Sequence, residues 1–182
     1  MAVEDYEAVL AGDRSRVRWL EIPDPSASTE LTRRQVPETQ GFLGGEGIAI
    51  DGDHIFFTTK FNNHVYDYDM KEQTLCLLYS AERDGGLLTG VDNVTVGPGG
   101  EVIVAEDGGN MECVVLLREG DSCATSGVLP LVRVEGQENS EVTGPCASPD
   151  LRYFHFNSQR GQQGKGFFEA GISYRITGPI TS

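Results

Sequence analysis

The sequence predicts an all-β chain, a partial β-propeller of about three four-stranded antiparallel blades. Three observations carry this prediction. From Gly41 onward short β-rich runs alternate with Gly, Asp, Asn and Pro, no sustained helical periodicity follows, and one hairpin pattern recurs three times. A chain of 182 residues can bury a core of its own without a disulfide or zinc staple.

Residues 1–40 read as a polar, Pro-punctuated N-terminal arm with one strand. Val17 to Ile22 alternates like a half-buried strand until Pro23-Asp24-Pro25 stops it. Residues 41–182 divide into three blades of about 41–88, 89–138 and 139–182. Each opens with strand, tight turn, strand: Glu46 to Thr59, Asp92 to Glu106 and Thr143 to Asn157. The starts lie 46 and 51 residues apart, close to the roughly 40–50 residues of a propeller blade.

Material for outer strands follows each hairpin. In the first blade it is Val65 to Asp69 and Leu75 to Tyr79, and in the second Cys113 to Leu117 and Leu129 to Val134. In the third, Ile172 to Ile176 is the clear strand. A flat sandwich needs similar strands but no such repeat. Closed propellers usually have four or more blades. Either further blades lie outside this chain, or two copies close a six-bladed ring as a homodimer about a two-fold axis.

The charge balance, 14 Lys+Arg against 28 Asp+Glu for a net −14, argues against nucleic acid and anionic membrane surfaces as partners and makes cations natural ones. The same acidity is also an ordinary route to solubility. Cys76, Cys113, Cys123 and Cys146 form no C-x-x-C pair, so free thiols are expected rather than a zinc ribbon or a thioredoxin-like site. No basic-then-apolar leader opens the chain and no stretch is apolar enough to span a membrane. A soluble chain is expected, its compartment open because a longer parent could carry a signal upstream.

In a propeller the innermost strands line the channel, so equivalent strand starts converge on one pole. Here these are Glu46, Asp92 and Thr143, with Asn93 and Glu141 beside them. Carboxylates with an amide oxygen make a hard-oxygen set suited to calcium. The same acids could instead cap turns and face water. The ends of the second strands align Thr59, Glu106 and Asn157, and Glu106-Asp107-Gly108-Gly109 could supply ligands or form a hairpin turn. The metal candidates are thus Glu46, Asp92, Asn93, Glu106 and Glu141.

Arg160 and Lys165 lie in a Gly-rich stretch that lacks P-loop spacing but could meet an anion, making them the substrate-binding candidates. His54, His64 and His155 have no partner at ligand spacing and read as structural. No Gly-x-Ser-x-Gly elbow is present. Asn93-Val94-Thr95 matches a glycosylation sequon at a channel position.

Several words resemble the PhoX-type alkaline phosphatase family. They are Ile22-Pro-Asp-Pro25, Thr32-Arg-Arg-Gln35, Gly45-Glu46-Gly47, Thr89 to Thr95, Ala105 to Gly109, Ser140 to Pro145 and Phe156 to Gly161. The resemblance runs from about residue 17 to the end. It implies a calcium-dependent six-bladed propeller with iron in its active centre, of which this chain would be the C-terminal half. It casts Glu46 as a metal-binding glutamate, with Glu106 and Glu141 bordering the site. The family's Thr-Cys-Glu-Glu-like segment, whose cysteine contributes to the iron centre, does not occur in this sequence.

Three functions follow as expectations: a metal-dependent phosphoric monoester hydrolase portion acting on small phosphate esters if its site is complete, a noncatalytic half-propeller for binding or assembly, and a calcium-dependent lactonase-like hydrolase.

Overall fold

The computed structural model describes residues 1–108, 110–120, 122–162 and 171–178. The arm is more structured than its sequence suggests. It contains β1 (Ala2–Val3), the short helix α1 (Tyr6–Ala11), β2 (Ser15–Arg18) and a 3-10 turn at Thr32–Arg34. Asp5 caps α1 by accepting from the Ala8 N–H at 3.0 Å, and Gly12 ends it in the left-handed region at φ 100°. The strand expected at Val17 to Ile22 lies earlier, at Ser15–Arg18, because its partner is the start of the first blade's outermost strand.

From residue 45 the chain is a series of antiparallel meanders. The first sheet contains β3 (Gly45–Asp51), β4 (His54–Thr59), β5 (His64–Asp69) and β6 (Thr74–Ser80), and the arm extends it to the order β1-β2-β6-β5-β4-β3. The second contains β7 (Val91–Val96), β8 (Val102–Glu106), β9 (Glu112–Arg118) and β10 (Thr125–Arg133) in sequential order. Among the described residues the third contains β11 (Val142–Ala147), β12 (Tyr153–Ser158) and β13 (Ile172–Thr177).

The sheets stack face to face, which explains why their middle strands lack polar alternation. β8 is buried along its whole length because each face meets a neighbouring sheet. Val102 and Val104 pack with Phe56, Val65 and Leu78 of the first sheet. Ile103 and Ala105, on the other face, pack with Val142, Phe154 and Phe156 of the third. This stacking of meanders is propeller-like, and the described sheets do not close a ring.

The two ends of the stack differ. On the first sheet's outer face, Val9, Val17, Tyr6 and Phe42 cover Tyr66, Tyr68, Leu75 and Leu77. The arm thus fills the outer half of that face. The inner half stays open: Ile48 is 70% and Ile50 63% exposed, beside an apolar groove of about 160 Å³ lined by Met1, Trp19, Ile55, Phe57 and Tyr68. On the third sheet, Phe154 and Phe156 face inward, so alternation turns Tyr153 and His155 outward, and Arg175 stacks over the Tyr153 ring.

Pairing also corrects the repeat alignment. Val91 pairs with Glu106 and Val142 with Ser158, so the third counterpart of Glu106 is Ser158, not Asn157. The third hairpin's turn holds one more residue than the second, and a one-residue slip reverses which side chains face the core. Ser158 is buried and shares a hydrogen bond of 2.8 Å with Ser140. No described helix is long and apolar enough to cross a membrane.

Candidate functional site

The starts of β7 and β11 and the ends of β4, β8 and β12 meet at one pole of the stack. Close backbone approach makes this possible. A Cβ on Gly47 would lie 2.6 Å from the Val94 nitrogen and 2.8 Å from the Asp92 oxygen, so only glycine lets β3 lie this close to β7. Gly90, at φ 60°, would place a Cβ 2.6 Å from the Asp107 oxygen.

Side chains then tie the sheets together. Thr58 of β4 accepts from the Gly47 N–H at 2.8 Å and donates to the Asp92 carbonyl at 2.6 Å. Asn93 Oδ1 accepts from Thr143 Oγ1 at 2.7 Å and from the Gly144 N–H at 2.8 Å, joining the second sheet to the third. Asn93 Nδ2 donates to Asp92 Oδ1 at 2.7 Å. The Asn93 oxygen that could have faced a metal is therefore used within the protein.

The charged groups form a chain of alternating sign. The Lys60 ammonium contacts Asp92 Oδ2 at 3.2 Å and also Asp107. Arg160 reaches Asp107 Oδ1 at 3.5 Å and Glu141 Oε2 at 3.4 Å, and its N–H is fixed by Ser140 Oγ at 2.8 Å. Burial opposes the charge on Lys60, but its bonds to Asp107 and Asp92 prevail and raise its pKa. Burial raises the Glu141 pKa, and repulsion from Asp107 and Asp92 adds to this against the attraction of Arg160 and Lys60.

The structure thus brings Asp92, Asn93, Glu141 and Arg160 together, and adds Lys60 and Asp107. Glu106 has a different role. It is fully buried, and its carboxylate accepts from the Thr89 N–H at 2.8 Å, the Glu112 N–H at 3.1 Å and the Asn110 N–H at 3.2 Å. It organises the loop between β8 and β9. Burial pushes its pKa up, against those bonds. Glu46 is exposed on β3. Lys165 lies outside the described residues.

Sequence reasoning missed Lys60. The signal was available, because Lys60 directly follows the end of its blade's second strand as Asp107 follows Glu106.

Calcium takes six to eight oxygens at about 2.3–2.6 Å. The carboxylates here instead address the chain's own cations, and no group of three His, Cys, Asp or Glu among the described residues is arranged to hold a metal ion. The arrangement does not fit a calcium ion as it stands.

No protein-family model matches the sequence, and no curated protein matches it. Among solved structures the chain is similar to the extracellular domain of the hybrid two-component system BT4673 from B. thetaiotaomicron. The TM-score is 0.51 at 14% identity, over 68% of this chain and 15% of that one. A luciferin-regenerating enzyme aligns at TM-score 0.48 and 18% identity, over 64% of this chain and 36% of that one. The chain therefore spans well under half the length of either, and at these identities the likeness concerns the fold alone.

Proposed function

We propose that this chain is a three-blade portion of a β-propeller acting as a noncatalytic binding and assembly module, its pole neutralised by its own cations. One observation carries this reading: the Lys60 ammonium stands between Asp92 and Asp107, where a bound cation would otherwise be needed. The assembly surface is the open half of the first sheet. Ile48 and Ile50 occupy the positions of Val94 and Val96, which in the second sheet pack against the sheet before it. A further blade would cover them in the same way. In a two-fold ring that face would meet the partner's third sheet, whose outward side carries Tyr153, His155 and Arg175. That polar side matches it poorly, so further blades are the better occupant.

A second reading keeps the PhoX-like hydrolase. It is favoured by the convergence of Thr89 to Thr95, Ala105 to Gly108, Ser140 to Pro145 and Phe156 to Gly161 on one pole, and by the excess of three carboxylates over two cations there. In that reading calcium would compete with Lys60 for Asp92, and Arg160 would face a phosphate ester. The iron centre would need the cysteine segment this sequence lacks. The lactonase-like alternative shares the same calcium requirement.

The test is thermal unfolding of metal-free protein with millimolar calcium or chelator, together with turnover of an aryl phosphate and a lactone. The binding-module reading expects an unmoved melting temperature and no turnover. A calcium-dependent rise with hydrolysis of the phosphate or the lactone would replace it by the corresponding hydrolase.

A further inference from the structure

Between β1 and β2 the arm makes an excursion, residues 5–14, that carries α1 over the first sheet. Both ends are clamped: the Glu4 N–H donates to the Arg16 carbonyl at 2.9 Å and the Asp5 N–H to Ser15 Oγ at 2.8 Å. In the middle Val9 is fully buried against Tyr66, Leu75 and Leu77, and Tyr6 Oη shares a hydrogen bond of 2.6 Å with Tyr66 Oη. Tyr66 Oη in turn lies 2.9 Å from Nδ1 of the half-buried His64, and Asn62 Nδ2 lies 2.9 Å from the same nitrogen. Thr59 donates to Asn62 Oδ1 at 2.6 Å, which turns the Asn62 NH2 toward the ring. An NH2 can only donate, so His64 Nδ1 accepts and carries no proton. The chain of donors then runs one way, from Tyr6 through Tyr66 to His64.

We propose that residues 5–14 form a proton-gated lid, closed over the first sheet while His64 is neutral and released when His64 takes up a proton. Protonation at Nδ1 turns the shared acceptor into a donor. The Asn62 NH2 then faces an N–H, and Tyr66 must accept from the ring and donate to Tyr6, which loses the acceptor that held its own hydroxyl. Tyr66 is fully buried beneath the lid, so lifting the lid is what brings water to this contact and to the charged ring. Opening also uncovers Tyr66, Tyr68, Leu75 and Leu77, joining the covered half of the face to the half already open at Ile48 and Ile50.

The groups around the ring act mostly in one direction. From β5 and α1 it meets the hydroxyls of Tyr66 and Tyr6. From the connection of β6 to β7 come the charges of Arg83 and Glu82. Arg83 is fixed by the Leu77 and Leu78 carbonyls at 3.1 and 2.8 Å and by Asp84 at 2.9 Å, and it also stands at the lid's far end, where a Cβ on Gly12 would come 3.4 Å from its Nη1. Burial lowers the His64 pKa, and Arg83 adds to this against Glu82. A lowered folded value means that the closed lid is fully stable above the ordinary 6.5 and weakens as pH falls below it, toward the folded value. His54 is not part of the gate, since it pairs with Asp69 at the opposite end of the β4–β5 ladder from His64.

The test is amide hydrogen exchange of the whole chain between about pH 7.5 and 5, corrected for the intrinsic pH dependence of exchange, with the His64 ring titrated by NMR in the same samples. Protection at residues 8–13, whose N–H groups include the bonds of Ala8 to Asp5, Gly12 to Val9 and Asp13 to Ala8, should fall by up to roughly tenfold per pH unit below about 6.5, while β8 keeps its protection. The midpoint should follow the His64 titration. His64→Asn puts an acceptor oxygen near the place of Nδ1 and removes the titration, so it should hold the lid closed and flatten the profile. Tyr6→Phe, which cuts the lid from the relay, should lower protection at pH 7.5 and flatten the profile as well. Protection at residues 8–13 that does not change with pH, a loss whose midpoint departs from the His64 titration, or a loss that persists in His64→Asn would overturn the gate.

Discussion

Replacing Glu106 by Gln separates a structural carboxylate from a metal ligand. The two Glu106 oxygens divide three backbone donors, with the Thr89 N–H on Oε1 and the Asn110 and Glu112 N–H groups on Oε2. Gln has one oxygen. Its better orientation keeps the pair and turns its NH2 toward the Thr89 N–H, leaving a donor unpaired at about 1–3 kcal/mol. The two retained bonds lose their charge assistance, a further loss of about 1 kcal/mol each. Relief from burying a carboxylate offsets part of this, since burial raises the Glu106 pKa. The net expectation is about 2–4 kcal/mol of lost stability in urea unfolding, or roughly 5–15 °C in melting temperature. Calcium response should be the same as in the parent. A Glu106→Gln chain within about 0.5 kcal/mol of the parent, but stripped of a calcium response the parent shows, would refute the structural role.

Lys60→Met should cost about 1–3 kcal/mol, since Lys60 is partly exposed and leaves Asp92 and Asp107 facing each other; calcium should restore part of that loss, which melts with and without calcium would detect. Glu141 has a raised folded pKa, so its contribution is fully present below its unfolded value of about 4.5 and is lost as pH rises through the folded value; the stability gap between the parent and Glu141→Gln should therefore shift in the parent's favour on acidification from neutral. Asp24 is held down to about 2 by bonds from Ser26 and Ser28, so its stabilisation of the arm loop is present above its usual 3.8 and lost as pH falls toward 2, readable by amide exchange at residues 24–28. Val9→Ala, at a fully buried position of the arm's helix, should cost about 1–2.5 kcal/mol, whereas Ile50→Lys on the open face should cost under about 0.5 kcal/mol.

The blades were legible because their signals are local. Alternation, turn residues and spacing placed most strands to within a residue or two: the expected Val65 to Asp69 is His64–Asp69, and Ile172 to Ile176 is Ile172–Thr177. The exceptions are tertiary. β10 begins at Thr125, earlier than its apolar residues suggest, because it pairs along the whole of β9. Helix α1 is only six residues long, below the length at which helical periodicity is visible, and it forms because Val9 is buried on the first sheet.

The pole was legible as a place but not as chemistry, and the reason is physical. Repeat arithmetic finds which strand ends converge, but a carboxylate at such an end has three possible partners: a metal, a backbone N–H or a cation from another blade. Sequence proximity decides none of these. Glu106 turns to N–H groups four and six residues ahead in its own loop, while its neighbour Asp107 turns out to Lys60, 47 positions away. Glu106 is the last residue of β8 and Asp107 lies one step beyond it, so the first carboxylate turns to its own loop and the second reaches the cations at the pole. The sequence word Glu-Asp-Gly-Gly therefore reads as one ligand motif yet divides into two functions, a buried loop organiser and a polar ion-pair member. The position one step past a strand end puts Asp107 at the pole, and it makes Lys60, one step past the matching strand end in the blade before, the residue that decides whether those acids need a metal at all.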